Sequence, residues 1–581
     1  MNTYFCNKYA TSEQYISFLV RYNNDLSSVE NLLNPECTTI INTQFLIAYK
    51  NIQSMDNSPL LQYRNAIYPK CYALMDESAI AATDALRVQT LSGLSLTGKD
   101  VLVGFVDTGI DIFNPIFQTK QGTTRIEAIW DQTATGFEVS DTRYGYGAVF
   151  NRTQINAAIS NSAPLVPNMS QDNSHGTFLA SVCAGSEDPS VPFSSMAPDA
   201  TILAVKLKQA KQNLREFYGI DKDVECFSED DIMLGIDFLL QKAKELGKPI
   251  AICLALGTNQ GDHDQSTVLE QYLTTLSYLR GVCLVSAAGN ELGYQNHFRK
   301  AIPPKSDFSS IPPSNTITPI EVNVEQENDM QTNFSMEIWG FSPDLPRLSV
   351  VSPSGERFSQ IPYLRPGNAS FSFLFEQTSL YVEAVPTNIL TGSPMFFLRF
   401  DNAAEGIWTI EVTHKKTIDA WLPVHTFLQN PVTFVSPDPN ITVTSPGNGN
   451  GTITVAGYNH TNNSIYQNSG RGYTRLLRIK PDLAAPAVNV FGAFSPSTQN
   501  RTLFTRYTGT SVAAAITTGA AALLLEWFIV RGNNTSVNTT ILREYLIRGA
   551  KMPQNRTSPN REFGFGILDL IETFDQFRSN I

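Results

Sequence analysis

Four long apolar runs, separated by a helical stretch and by loops, constrain this chain more than any other feature. VLVGFV (101–106) has no polar interruption and ends in Asp107. ILAVKL (202–207), IAICLAL (250–256) and VCLVSAA (282–288) are runs of the same kind. A strand buried on both faces reads this way, whereas a half-exposed strand alternates. Residues 229–246 carry helical spacing, opened by an acidic Ser228-Glu229-Asp230-Asp231 and closed by Gly247-Lys248-Pro249. Strands alternating with helices predict an α/β domain on a doubly wound parallel sheet, whose functional edge lies beyond the C-terminal strand ends.

The flanks have a different character. Residues 1–75 read as a small α+β unit, with helices over 12–22 and 25–33 and one or two strands in CTTIINTQFLIAYK (37–50). From about residue 300 to 430, short alternating runs such as IEVNVE, SLYVEAV and IWTIEVT are separated by turn signals. They predict an all-β sandwich or jelly roll inserted into the α/β domain. The predicted plan is therefore 1–75, 76–299 for the first part of the α/β domain, 300–430 for the insertion, and 431–581 for the second part.

Composition removes several function classes. The net charge is −12, with no basic cluster, which argues against nucleic-acid binding. The longest apolar run is cut by Glu526 short of the roughly 18 residues that span a bilayer, so no membrane span is expected. The first twenty residues show no basic start, apolar core and small-residue cleavage site, so no secretory signal is read there. Cys6, Cys37, Cys71, Cys183, Cys226, Cys253 and Cys283 are odd in number, scattered and without a CxxC pair. Reduced thiols in a cytoplasm-like compartment are the expectation, with no disulfide framework and no thiolate metal site. Cys253 and Cys283 lie in apolar runs and read as core.

Three motifs and a fourth piece carry the chemistry. Asp107-Thr108-Gly109 closes the first apolar run, and Ser174-His175-Gly176-Thr177 opens an apolar helix. Gly509-Thr510-Ser511-Val512 opens another, and Ser286-Ala287-Ala288-Gly289-Asn290 ends a buried run. A serine hydroxyl is a weak nucleophile and needs a base within hydrogen-bond reach. A histidine can take that proton and return it to the leaving amine, and a buried carboxylate fixes its tautomer. A serine at a helix N-terminus sits in the positive end of the helix dipole, and its backbone N–H can bind an oxyanion. Alone, His175 would read as a core histidine and Asn290 as a turn residue. Asp111 reads as a turn cap.

The order Asp, His, Ser is that of the subtilisins, and the four motifs resemble those of the subtilisin-like serine proteases. The resemblance covers about 80–305 and 435–575. It implies Asp107 as the orienting acid, His175 as the base, Ser511 as the nucleophile and Asn290 as the oxyanion side chain. It implies Leu254, Ala255, Leu256 and Gly257, with Ser286, Ala287, Ala288 and Gly289, as the lining of the primary specificity pocket. Two departures stand out. Ala513-Ala514-Ala515 occupies the place where compact members carry a proline. The Asp107–Ser511 span also exceeds the roughly 190 residues of the compact type by about 210, which fits the inserted β segment plus a longer loop before His175.

The whole chain is similar to the clostridial spore-germination proteases of the Csp type. Acidic calcium-loop motifs are not apparent, so no required metal is expected. The similarity implies a protein substrate, no cofactor, and a location in the bacterial cytoplasm or spore. It implies that residues 1–75 are a pro-domain, cut once near Met75–Asp76 and retained as a bound partner. Activation of a cortex-lytic enzyme precursor is the implied role. A germinant-sensing pseudoprotease and a general intracellular subtilase remain the alternatives.

Overall fold

The computed structural model describes all residues except 1–5, 56–58, 64, 75–80, 136–142, 161–173, 188–192, 303–315, 328–329, 363–366, 499–500 and 579–581. Its centre is a mostly parallel sheet. In spatial order the strands are Ser464–Ile465, Ile453–Asn459, Val282–Ala287, Ile250–Leu254, Leu102–Asp107, Thr201–Lys206, Ile126–Asp131 and Ala148–Asn151, and Leu483–Pro486 also pairs with Ile453–Asn459. The two outermost pairings are antiparallel and the rest are parallel. Leu102–Asp107 sits where the chain order turns from one side of the sheet to the other. A crevice opens beyond the C-terminal end of such a strand, and Asp107 is its last residue.

Both faces of this sheet are covered, which is why its strands lack polar alternation. Val103 and Phe105 pack beneath the helices His175–Ala184 and Thr510–Leu525. Leu102 and Val106 face Glu229–Leu246 and Val268–Leu276. Glu229–Leu246 matches the helix read from the sequence. Thr510–Val530 is long and apolar enough to cross a membrane, but 89 % of its apolar window is buried in the protein. Glu526 anchors it, since Oε2 accepts the backbone N–H groups of Thr97, Gly98 and Lys99 and Oε1 pairs with Arg531.

The N-terminal unit differs from its sequence reading in two respects. Residues 12–22 do not form a helix; Tyr15–Arg21 is a strand paired with Phe45–Asn51. Both of its faces are covered: Leu19 packs toward the sheet's helices, and Ile16, Phe18 and Val20 pack away from them. A short, fully buried run carries no alternation, so its spacing mimics a helix. Cys6 and Cys37 form a disulfide with Cα atoms 5.8 Å apart, which corrects the expectation of seven reduced thiols. Only tertiary structure joins two cysteines separated by 31 residues, and an odd count does not exclude one bridge. The other five are free and buried. The second helix, Leu26–Leu33, is capped by Asp25.

Between His297 and Phe434 the described residues make two antiparallel sheets. One runs His297–Lys300, Ile418–Trp421, Phe334–Trp339, Met395–Asp401, Ser379–Val385, Gly367–Ser372. The other runs Arg357–Pro362, Arg347–Val351, Gly406–His414, Thr316–Val324, Val432–Phe434. Inward residues such as Ile320, Val322, Phe396, Leu398, Trp408 and Ile410 form their shared core. A buried charge joins this sandwich to the α/β body. Asp419 accepts from Arg299 at 2.7 Å and from Arg475 Nε at 2.9 Å, and His297 Nε2 lies 3.5 Å away.

Burial alone would raise the Asp419 pKa; His297, Arg475 and Arg299 outweigh it and hold it at about 2. The folded value is below the unfolded one, so the stabilisation is complete above about pH 4 and is lost as pH falls through about 2. Asp419→Asn should cost about 3–5 kcal/mol at pH 7, because it leaves buried cations uncompensated. Urea unfolding at pH 7 and pH 2 checks this, with the gap to wild type shrinking at the lower pH.

Candidate active site

Asp107, 2 % exposed, ends the central strand, and His175, 5 % exposed, opens the helix His175–Ala184. His175 Nδ1 lies 2.9 Å from Asp107 Oδ1 and 3.0 Å from Oδ2. A carboxylate only accepts, so Nδ1 carries the hydrogen and Nε2 is left as the basic nitrogen. Asp107 Oδ1 also accepts from Thr108 N at 2.8 Å and Thr108 Oγ1 at 3.2 Å. These donors satisfy the buried carboxylate and hold it in place. Thr108 Oγ1 in turn receives the N–H of Gly176 at 3.2 Å, and Thr177 Oγ1 receives the N–H of Asp111 at 2.9 Å. The Asp107 turn and the His175 helix are thus cross-linked by two threonines that sequence reasoning assigned no role. Asp111 Oδ1 accepts from Phe113 N at 3.0 Å, which fits its reading as a turn cap.

The glycine after His175 is required by packing. A Cβ at Gly176 would stand 2.3 Å from the carbonyl oxygen of Gly109 and 3.1 Å from Asp107 Oδ1. Gly289 answers a different need: its φ is +94°, and a Cβ there would meet Thr444 at 2.7 Å.

Ser511 is the second residue of the helix Thr510–Leu525, which packs directly on the His175 helix. Ser511 is fully buried, and its Oγ makes no hydrogen bond among the described residues. Catalytic contacts often tighten only with substrate bound. The helix runs regularly through Ala513–Ala515 without the proline, as the small residues allow. Asn290 is brought to the same helix end: its Oδ1 accepts from Thr510 N at 3.0 Å and Thr510 Oγ1 at 3.1 Å. Thr510 Oγ1 also receives the N–H of Gly289 at 3.1 Å. With Oδ1 turned to Thr510, the amide nitrogen is the end turned away from it.

Leu254, Ala255, Leu256, Gly257, Ser286, Ala287, Ala288 and Gly289 are buried along two adjacent strand ends, with Leu254 opposite Ser286. Leu256–Gly257 pairs antiparallel with Cys71–Leu74, which pairs on its other side with Phe227–Ser228. The chain thus lays one of its own segments, in extended form, along the edge of the crevice. Met75 and Asp76 lie outside the described residues. Burial pushes the Cys253 thiol up to about 12, which leaves this neighbour of Asp107 inert. Burial, with His297 close by, holds His263 down at about 3, so it is a neutral core histidine. No cluster of three or more metal-ligating side chains occurs among the described residues.

The sequence matches the subtilase family model over residues 98–345 and 433–566. The chain belongs to that family and is a subtilisin-like serine endopeptidase. Among solved structures, the CspB protease of Clostridium perfringens superposes with a TM-score of 0.72 at 26 % identity, covering 86 % of this chain and 98 % of that one. Fervidolysin from Fervidobacterium pennivorans, a keratinolytic enzyme related to subtilisin, gives a TM-score of 0.47 at 13 % identity, covering 97 % of this chain and 61 % of that one. No curated protein matches.

Gly176→Ala should destabilise the protein by about 1–3 kcal/mol, because the clash is with backbone that cannot rotate away. It should also lower kcat by moving His175. Urea unfolding and peptide hydrolysis measured on the same sample check both effects.

Proposed function

We propose that this subtilase cleaves proteins through Ser511 as nucleophile, His175 as general base and Asp107 as orienting acid. The observation that carries the reading is the buried Asp107–His175 pair, 2.9 Å apart, beside a helix that begins at Thr510-Ser511. His175 takes the Ser511 proton as the hydroxyl attacks the peptide carbonyl, then delivers it to the departing amine. Asp107 holds the imidazole tautomer and stabilises the imidazolium. The amide of Asn290 and the N–H of Ser511 receive the oxyanion. Leu254–Gly257 of the sequence and its partner stretch 286–289 line the pocket for the side chain before the cut. No cofactor or metal enters this scheme.

Residues 1–75 act as a pro-domain. The ladder between Cys71–Leu74 and Leu256–Gly257 supports this, since main-chain pairing is how an extended peptide fills such a cleft. The proposed cut between Met75 and Asp76 follows directly on that ladder in the chain, and the fragment stays bound. The likeness to the CspB protease makes activation of a cortex-lytic enzyme precursor during germination the proposed role, and the bacterial cytoplasm or spore is its proposed location.

Wild-type protein should give two fragments that co-elute on gel filtration, and Ser511→Ala one full-length chain. Cleavage persisting in purified Ser511→Ala would remove the self-processing claim. Ser511→Ala, His175→Ala and Asp107→Ala should each lower kcat by about 10⁴–10⁶, with strongly non-additive losses. Asn290→Ala should lower it by about 10²–10³ with KM nearly unchanged. Peptide-hydrolysis kinetics separate these cases, and incubation with the recombinant cortex-lytic precursor tests the substrate.

A further inference from the structure

The residue after Asn290 is held by the inserted sandwich. Glu291 is 2 % exposed. Its Oε2 accepts from Asn296 Nδ2 at 2.8 Å and from the backbone N–H of His425 at 2.9 Å. Its Oε1 lies 3.0 Å from His425 Nδ1. A buried carboxylate is tolerated only when donors surround it, and two of these three come from one sandwich residue. The ring of Tyr294 stacks on the His425 imidazole, with centroids 3.5 Å apart and planes within 3°. Asn296 is itself tied to the sandwich, because its carbonyl receives the N–H of Leu422 at 2.9 Å.

The opposite side of the same short loop is held by the nucleophile helix, through the contacts from Thr510 to Asn290 and Gly289. Gly289–Glu291 in the sequence is therefore clamped between the helix that bears Ser511 and a turn of the insertion. An oxyanion donor works only when it is fixed where charge develops, and a misplacement of about 1 Å can cost roughly 10²-fold in rate.

We propose that His425, acting through Glu291, is a positioning residue for Asn290, so that the inserted sandwich sets the aim of the oxyanion donor and contributes to kcat. This rests on the reading of Asn290 as that donor. His425 touches no reacting atom. Its backbone and side chain together fix the Glu291 carboxylate, and Glu291 fixes the backbone from which the Asn290 side chain projects.

The test is steady-state peptide hydrolysis by the complete protein, with the extent of processing of each variant recorded by intact mass. Wild type, His425→Ala, Asn290→Ala and the double variant are compared, with melting temperatures recorded alongside. His425→Ala should lower kcat about tenfold with KM within about twofold, and change kcat by less than about twofold in the Asn290→Ala background, because the group it aims is gone. His425→Asn, whose Nδ2 replaces Nδ1 as donor, should restore most of the rate. Glu291→Met keeps the length but removes both acceptors, so it should behave like His425→Ala and supplies the same cycle if that variant folds poorly. A purely structural role predicts a lower melting temperature and the same fractional loss of kcat in both backgrounds. That result, or an unchanged kcat in His425→Ala, overturns the proposal. An unchanged kcat in Asn290→Ala instead overturns the oxyanion reading itself.

Discussion

The rest of the site depends on a carboxylate placed where water does not reach. Asp107 lies at the end of a strand covered on both faces, and leaving it unpaired there would cost several kcal/mol. Its donors are Thr108 and His175, so the favourable state of the carboxylate is also the one that fixes the imidazole tautomer. Much nearby sequence follows from that need. Thr108 must donate to Asp107 and receive Gly176 N, residue 176 must lack a Cβ, and the His175 helix must begin against the Gly109 carbonyl. Catalytic geometry and local stability are here one set of hydrogen bonds.

A second set of buried charges orients the inserted sandwich on the α/β body. Asp419 with Arg299 and Arg475, and Glu291 with His425, lie at the junction. Trp421 is stacked between His263 and His297, with ring centroids 4.3 and 4.7 Å away. Apolar packing is non-directional, whereas buried carboxylates need their hydrogen-bond donors at defined positions. Through His425 and Glu291 these contacts reach the loop that carries Asn290.

The parallel core and the motifs were legible in the sequence because each rests on local pattern. Unbroken apolar runs mark strands buried on both faces, and Asp107, His175 and Ser511 each sit at a strand or helix end that the pattern locates. What was not legible depends on distance along the chain or on the loss of pattern. Tyr15–Arg21 is buried on both faces and so lost the alternation that identifies a strand. Cys6 and Cys37 are joined across 31 residues. Glu291 and His425 meet across 134 residues, and neither stands in a motif. Thr108 and Thr177 lie inside motifs, yet only their hydrogen bonds reveal what they hold.

The proposed chemistry stands on Ser511 as a working nucleophile activated by His175. Intact-mass analysis after treatment with a small fluorophosphonate, followed by peptide mapping, tests it most directly. A single adduct on Ser511 is expected in the wild type, and none in His175→Ala over the same period. An unlabelled wild type, or an adduct on any other residue, would contradict it.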